Sequence, residues 1–84
     1  MPVTSAQVRM ARAALEWTVR DLAEATGLHR NTITNLEVGR YGGDPETLEI
    51  IEKTLIAAGI QFIDENGGGA GVRLRKRKSA AQPK

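Results

Sequence analysis

Between positions 30 and 35 the chain places Arg30, Asn31, Thr34 and Asn35 at the spacing of one face of a helix, with Ile33 and Leu36 on the other. All four outward residues are types that read nucleic-acid bases. Arginine pairs bidentately with guanine, asparagine with adenine, and threonine offers a hydroxyl or a methyl group. The plain alternative is a solvated helix face. Such a face more often carries Glu and Lys, which form helices better than Asn and Thr do. Something other than helix stability therefore accounts for the two asparagines and the threonine. That favours reading.

Other chemistry has little to stand on. There is no cysteine, and His29 is the only histidine, so neither a thiolate nor an imidazole metal cluster is available. Asp64 and Glu65 are adjacent carboxylates with no base, nucleophile or ligand nearby in the sequence, and no catalytic role is assigned. Gly67-Gly68-Gly69 lacks the Gly-Lys-Ser/Thr and the helix of a phosphate-cradling loop, and is read as a hairpin tip. Trp17 is read as core packing.

A reading helix must be held out from the protein by others. Thr4 and Gln7 form a capping box for a first helix running to about Leu15, with Val8, Ala11 and Leu15 on its buried face. Thr18 opens a second helix that buries Leu22 and Ala23, with Asp21 favoured near its positive end. Gly27 supplies the left-handed residue that ends this helix near Thr26. The third helix starts at about Arg30 and stops before Gly39. Short helix, glycine turn and short helix together form a geometry in which the second helix can enter the major groove.

After a loop over 40–43, Asp44-Pro45 caps a fourth helix with Leu48, Ile51 and Leu55 inward and Gly59 at its end. The period then alternates. Ile60 and Phe62 share one face, as do Val72 and Leu74, which predicts a strand pair. An isolated hairpin is marginal in water, so this one must pack on something. It either covers its own bundle or joins a second chain, and the dimer is the favoured reading.

Eighty-four residues bound the chain to a single small core, without room for a deep substrate cleft. No apolar run is long enough to span a membrane, and the first residues lack the pattern of a secretory signal, so the expected location is cytoplasmic. The net charge of +2 is uneven. Residues 1–65 carry six basic and ten acidic side chains, whereas residues 66–84 carry six basic and none acidic. The basic character therefore belongs to the tail, which reads equally as a nucleic-acid arm or a solubilising end.

From Trp17 to Gly39 the chain resembles, without a gap, the helix-turn-helix family of phage repressors and Cro proteins, also called the XRE or lambda-repressor-like family. The residues that carry the resemblance are Trp17-Thr18-Val19, Leu22-Ala23, Gly27-Leu28-His29, Thr32-Ile33-Thr34, Leu36-Glu37 and Gly39. It implies the family's fold over residues 4–58, with the strand-like segment in place of its fifth helix. It also implies base contacts from Arg30, Asn31 and Asn35, with His29 and Thr34 at the margin. Thr18 would hold a phosphate at the start of the second helix, and Arg40, with Tyr41 beside it, would meet the DNA backbone. Arg12 and Glu37 match a structural ion pair. Two departures matter. Val19 stands where the family usually has a glutamine that contacts phosphate. His29 stands where it usually has a capping serine, so affinity leans more on Arg20, Arg40 or the tail.

The expectation is thus a mainly α, four-helix, lambda-repressor-like bundle with a C-terminal β-hairpin. Residues 1–59 form the DNA-binding domain, 60–76 the hairpin and candidate dimerisation element, and 77–84 a basic disordered tail. The expected function is a non-enzymatic, cofactor-free transcriptional regulator. It would bind double-stranded DNA through Thr18, Arg20, His29, Arg30, Asn31, Thr34, Asn35 and Arg40, as a homodimeric repressor on a palindromic operator. The alternative is an antitoxin-like module whose C-terminal segment grips a partner protein.

Overall fold

The computed structural model describes residues 3–65 and 67–75. In chain order these form α1 (Ser5–Leu15), α2 (Val19–Thr26), α3 (Arg30–Glu37), α4 (Pro45–Ala57), β1 (Ile60–Ile63) and β2 (Gly71–Leu74). The expected mainly α architecture is the observed one. The expected disordered tail at 77–84 lies outside the described residues.

Local chemistry sets each helix boundary. At the start of α1 the Thr4 hydroxyl accepts from the Gln7 N–H at 3.0 Å, and the Gln7 side chain accepts from the Thr4 N–H at 3.0 Å. Glu16 ends α1 in the left-handed region at φ 60°, its N–H bonded back to Ala13 and Arg12. Thr18 and Asp21 repeat the capping box for α2, and Gly27 closes it at φ 78° with its N–H on the Ala23 carbonyl at 2.8 Å. An added Cβ at Gly27 would meet nothing within 4 Å, so only the positive φ asks for glycine there.

Asp44 caps α4 by accepting from the Thr47 N–H at 2.8 Å, and Pro45 follows at the first helical position. Those hydrogen bonds, chiefly the one from the Thr47 backbone, hold the Asp44 carboxyl below its ordinary pKa. A carboxylate whose folded pKa is lowered contributes stability fully above its unfolded pKa, near 4, and loses it as pH falls through the folded value. The melting-temperature gap between wild type and Asp44→Ala should therefore be constant at neutral pH and narrow below about pH 4. A gap independent of pH would contradict the charged cap.

Every element contributes to one core. Val8 and Ala11 of α1, Leu22 and Ala23 of α2, Ile33 and Leu36 of α3, Ile51 and Leu55 of α4 and Ile60 of β1 are buried. Each fully buried Leu or Ile is worth about 1.5–3 kcal/mol. Leu15, Trp17, Leu28, Tyr41, Leu48, Phe62 and Val72 pack around them half-buried. Val3, ahead of the first cap, is also buried.

The hairpin packs on its own chain, the less favoured of the two sequence readings. β1 and β2 pair antiparallel, with Ile60 opposite Leu74 and Phe62 opposite Val72. β1 lies against α4 and β2 against α1. The tie is Gln7, a fully buried polar side chain. Its Nε2 donates to the Ile63 carbonyl at 3.2 Å and to the Gly71 carbonyl at 3.0 Å. Ile63 and Gly71 are partners across the ladder, so a single amide holds both strands to α1. Replacing Gln7 with Leu removes both of these hydrogen bonds, at a net cost of about 0.5–1.5 kcal/mol each. Amide exchange across Ile60–Ile63 and Gly71–Leu74 should quicken more than exchange in α2 and α3. Uniform acceleration would show that the hairpin is not a separately held unit. Leu74, expected to share the packed face, is instead 52% exposed at the end of β2.

Candidate nucleic-acid interface

α2, the Gly27 turn and α3 form the helix-turn-helix. The Thr26 hydroxyl sits within 2.8 Å of the Leu22 carbonyl and accepts from the Leu28 N–H at 3.2 Å, tying the turn to the last turn of α2. α3 then starts at His29, whose carbonyl accepts from the Thr32 and Ile33 N–H groups. The His29 side chain makes no capping bond and is exposed, so it is a surface residue rather than a cap.

Burial of Ile33 and Leu36 turns the opposite face of α3 to solvent. Arg30, Asn31 and Thr34 are exposed there. Asn35 differs from expectation: it is half-buried. The chain returns beside it, and the Asn35 carbonyl accepts from the Arg40 N–H at 2.9 Å and the Tyr41 N–H at 3.2 Å. Arg40 itself is exposed. The Tyr41 hydroxyl accepts from the Asp44 N–H at 3.2 Å, so Tyr41 links the loop to α4.

Thr18, Val19 and Arg20 line one cleft together with Arg30, Asn31 and Thr34. Arg20 and Arg30 also border a shallow depression on the other flank with Glu24, Gly27 and His29. The two guanidinium groups thus stand between both surfaces. Arg20 lies 3.6 Å from Glu24 with both side chains largely exposed, a pair water screens to less than about 1 kcal/mol. Thr18 is less available than expected. Its N–H donates to the Asp21 carboxylate at 2.9 Å and its hydroxyl accepts from the Asp21 N–H at 3.0 Å.

The exposed face of α3 is held from behind. Arg12 forks onto the Glu37 carboxylate, Nε to Oε2 at 2.7 Å and Nη2 to Oε1 at 2.9 Å. A third donor of the same guanidinium reaches the Trp17 carbonyl at 3.0 Å. Donating these hydrogen bonds to the Glu37 carboxylate raises the Arg12 pKa above its already high value. Arg9, one turn earlier on α1, donates to the Glu37 carbonyl. The resemblance implied the Arg12–Glu37 pair. The Arg9 anchor was not foreseen, although its i, i+3 spacing from Arg12 was a signal for it.

A family model described as helix-turn-helix matches residues 8–56, more than half of the 84 residues. This chain is an XRE-family helix-turn-helix protein. The match spans most of α1, all of α2 and α3 and nearly all of α4. The hairpin lies beyond it. A search of the curated proteins found no match. As a member of this family of DNA-binding regulators, the XRE protein presents α3 as its exposed second helix. Among the described residues, no three His, Asp or Glu side chains gather as a metal site would require. No helix among them is long and apolar enough to cross a membrane.

Proposed function

We propose that this XRE-family protein reads a specific duplex DNA sequence and represses transcription by occupying a promoter, as a homodimer on a palindromic operator. The observation that carries this reading is the set of exposed side chains on α3: Arg30, Asn31 and Thr34, backed by the Arg12–Glu37 fork. In the major groove Arg30 reads guanine, Asn31 reads adenine, and Thr34 contacts a hydrogen-bonding edge or a thymine methyl. Asn35, half-covered, and His29 contribute at the two ends of the helix.

Phosphate contacts fix the register. Arg20 and Arg40 supply the charge. The amides of Val19 and Arg20, at the first two positions of α2, have no acceptor within the helix and point toward a backbone phosphate. Thr18 supports that site through its cap with Asp21, a change from the direct phosphate role that the resemblance implied. The protein works by binding alone, without cofactor or catalysis.

An α3 of eight residues spans about 12 Å, enough for a few base pairs. Two copies on inverted half-sites supply the information that one lacks. With about six phosphates contacted by a dimer, affinity should fall roughly a thousandfold between 50 and 200 mM salt. Fluorescence anisotropy on labelled duplex across that range measures the slope. Binding that does not change with salt, or none at low salt, would contradict the proposal.

A further inference from the structure

We infer that Val38 reads the C5-methyl group of a thymine, adding an apolar contact to the polar ones of α3. Val38 follows the last residue of the helix and is 60% exposed, more than any other large apolar side chain among the described residues. Its N–H donates to the Thr34 carbonyl at 3.0 Å, so the helical path still holds at its Cα. Four residues from Thr34 and seven from Asn31, it shares their face and is turned away from Ile33 and Leu36. Core packing does not account for it. Nor does helix formation, since valine is a poor helix former and Gly39, at φ 86°, supplies the left-handed residue after the helix.

Lone exposed apolar side chains are common and need no function. Position separates Val38 from Met10, Ile50, Ile56 and Leu74, none of which stands on α2 or α3. A valine side chain neither donates nor accepts a hydrogen bond, so its partner in DNA is apolar. On the base edges of the major groove that partner is the thymine methyl. The helical rise sets Val38 about 6 Å beyond Thr34 and about 10 Å beyond Asn31, which gives it a base pair of its own. Arg40, exposed two residues later, brings this end of α3 to the duplex through its phosphate contact. The assignment rests on the DNA-reading function above and adds to it the chemistry of one base, recognised by a methyl group rather than by hydrogen bonds.

Deoxyuridine scanning tests it on the full-length chain. The probe is the duplex that wild type enriches from a random pool, resynthesised with deoxyuridine for thymidine at one position of each half-site at a time. Uracil pairs as thymine does and lacks only the methyl. At one position wild-type affinity, read by fluorescence anisotropy, should fall about fourfold per half-site, the worth of one buried methylene. Val38→Ser, folded as wild type by circular dichroism, should bind the thymine and uracil duplexes alike, at the level of wild type on uracil. Val38→Ile should keep the preference for thymine. Three results would overturn the inference: no thymine whose methyl matters, a methyl effect that survives undiminished in Val38→Ser and so belongs to Thr34, or an equal loss on both duplexes in Val38→Ser, the mark of a deoxyribose contact. Each of these would leave the DNA-reading function standing. A wild type that enriches no motif would overturn both.

Discussion

Replacing Arg12 with alanine should destabilise the fold by about 3–5 kcal/mol, toward the lower end because the guanidinium retains some contact with water. The Glu37 side chain is only 5% exposed, and Arg12, at 23%, is the ion-pair partner found for it among the described residues. Without Arg12 the carboxylate stays desolvated with no counter-charge, a worse state than having no charge at all. A domain of this size is stable by roughly 4–13 kcal/mol, so one substitution removes much of the margin. Urea unfolding followed by circular dichroism measures the loss. The double variant Arg12→Met/Glu37→Leu should recover most of it, because an apolar pair of similar volume needs no hydration replaced. A loss below about 1 kcal/mol in Arg12→Ala would show the fork to behave as a surface pair.

Arg30→Ala should leave stability within about 0.5 kcal/mol of wild type, since its side chain is an exposed one in the first turn of α3. It should nonetheless cost about 1–3 kcal/mol of discrimination at one base position in each half-site. Over two half-sites the operator affinity falls by roughly the square of the single-site factor. Binding to scrambled duplex should fall far less, because the phosphate contacts of Arg20 and Arg40 persist. Asn31→Ala should behave likewise at a neighbouring position. Asn35→Ala is a less clean probe: the residue is half-buried beside the Arg40–Tyr41 return, so its loss mixes packing with reading. Equal losses on operator and scrambled DNA would turn Arg30 into a phosphate contact.

Much of this arrangement was legible before any coordinates. Capping boxes, Gly27 and the Asp44-Pro45 start are local rules, settled within a few residues, and α1, α2 and α4 follow them, whereas α3 begins without a side-chain cap. The inward Ile33 and Leu36 likewise follow from period alone. What escaped was non-local. Gln7 reads from the sequence as a capping residue, and its second duty toward Ile63 and Gly71 depends on the hairpin folding back across more than fifty residues. The partial covering of Asn35 comes from the loop after Gly39, whose path no periodicity encodes. At Thr18 the family pattern suggested a phosphate ligand; Asp21 three residues later takes its backbone N–H, while the hydroxyl accepts from the Asp21 N–H and keeps its own hydrogen to donate.

The central claim is that side chains on the outer face of α3 choose the DNA sequence. Paired selections from a random duplex pool, one with wild type and one with Arg30→Ala, test it most directly. The wild type should enrich an inverted repeat with half-site centres about one helical turn apart, and Arg30→Ala the same repeat with information lost at a single symmetric position. Enrichment of an identical motif by both proteins, or of none by the wild type, would contradict it.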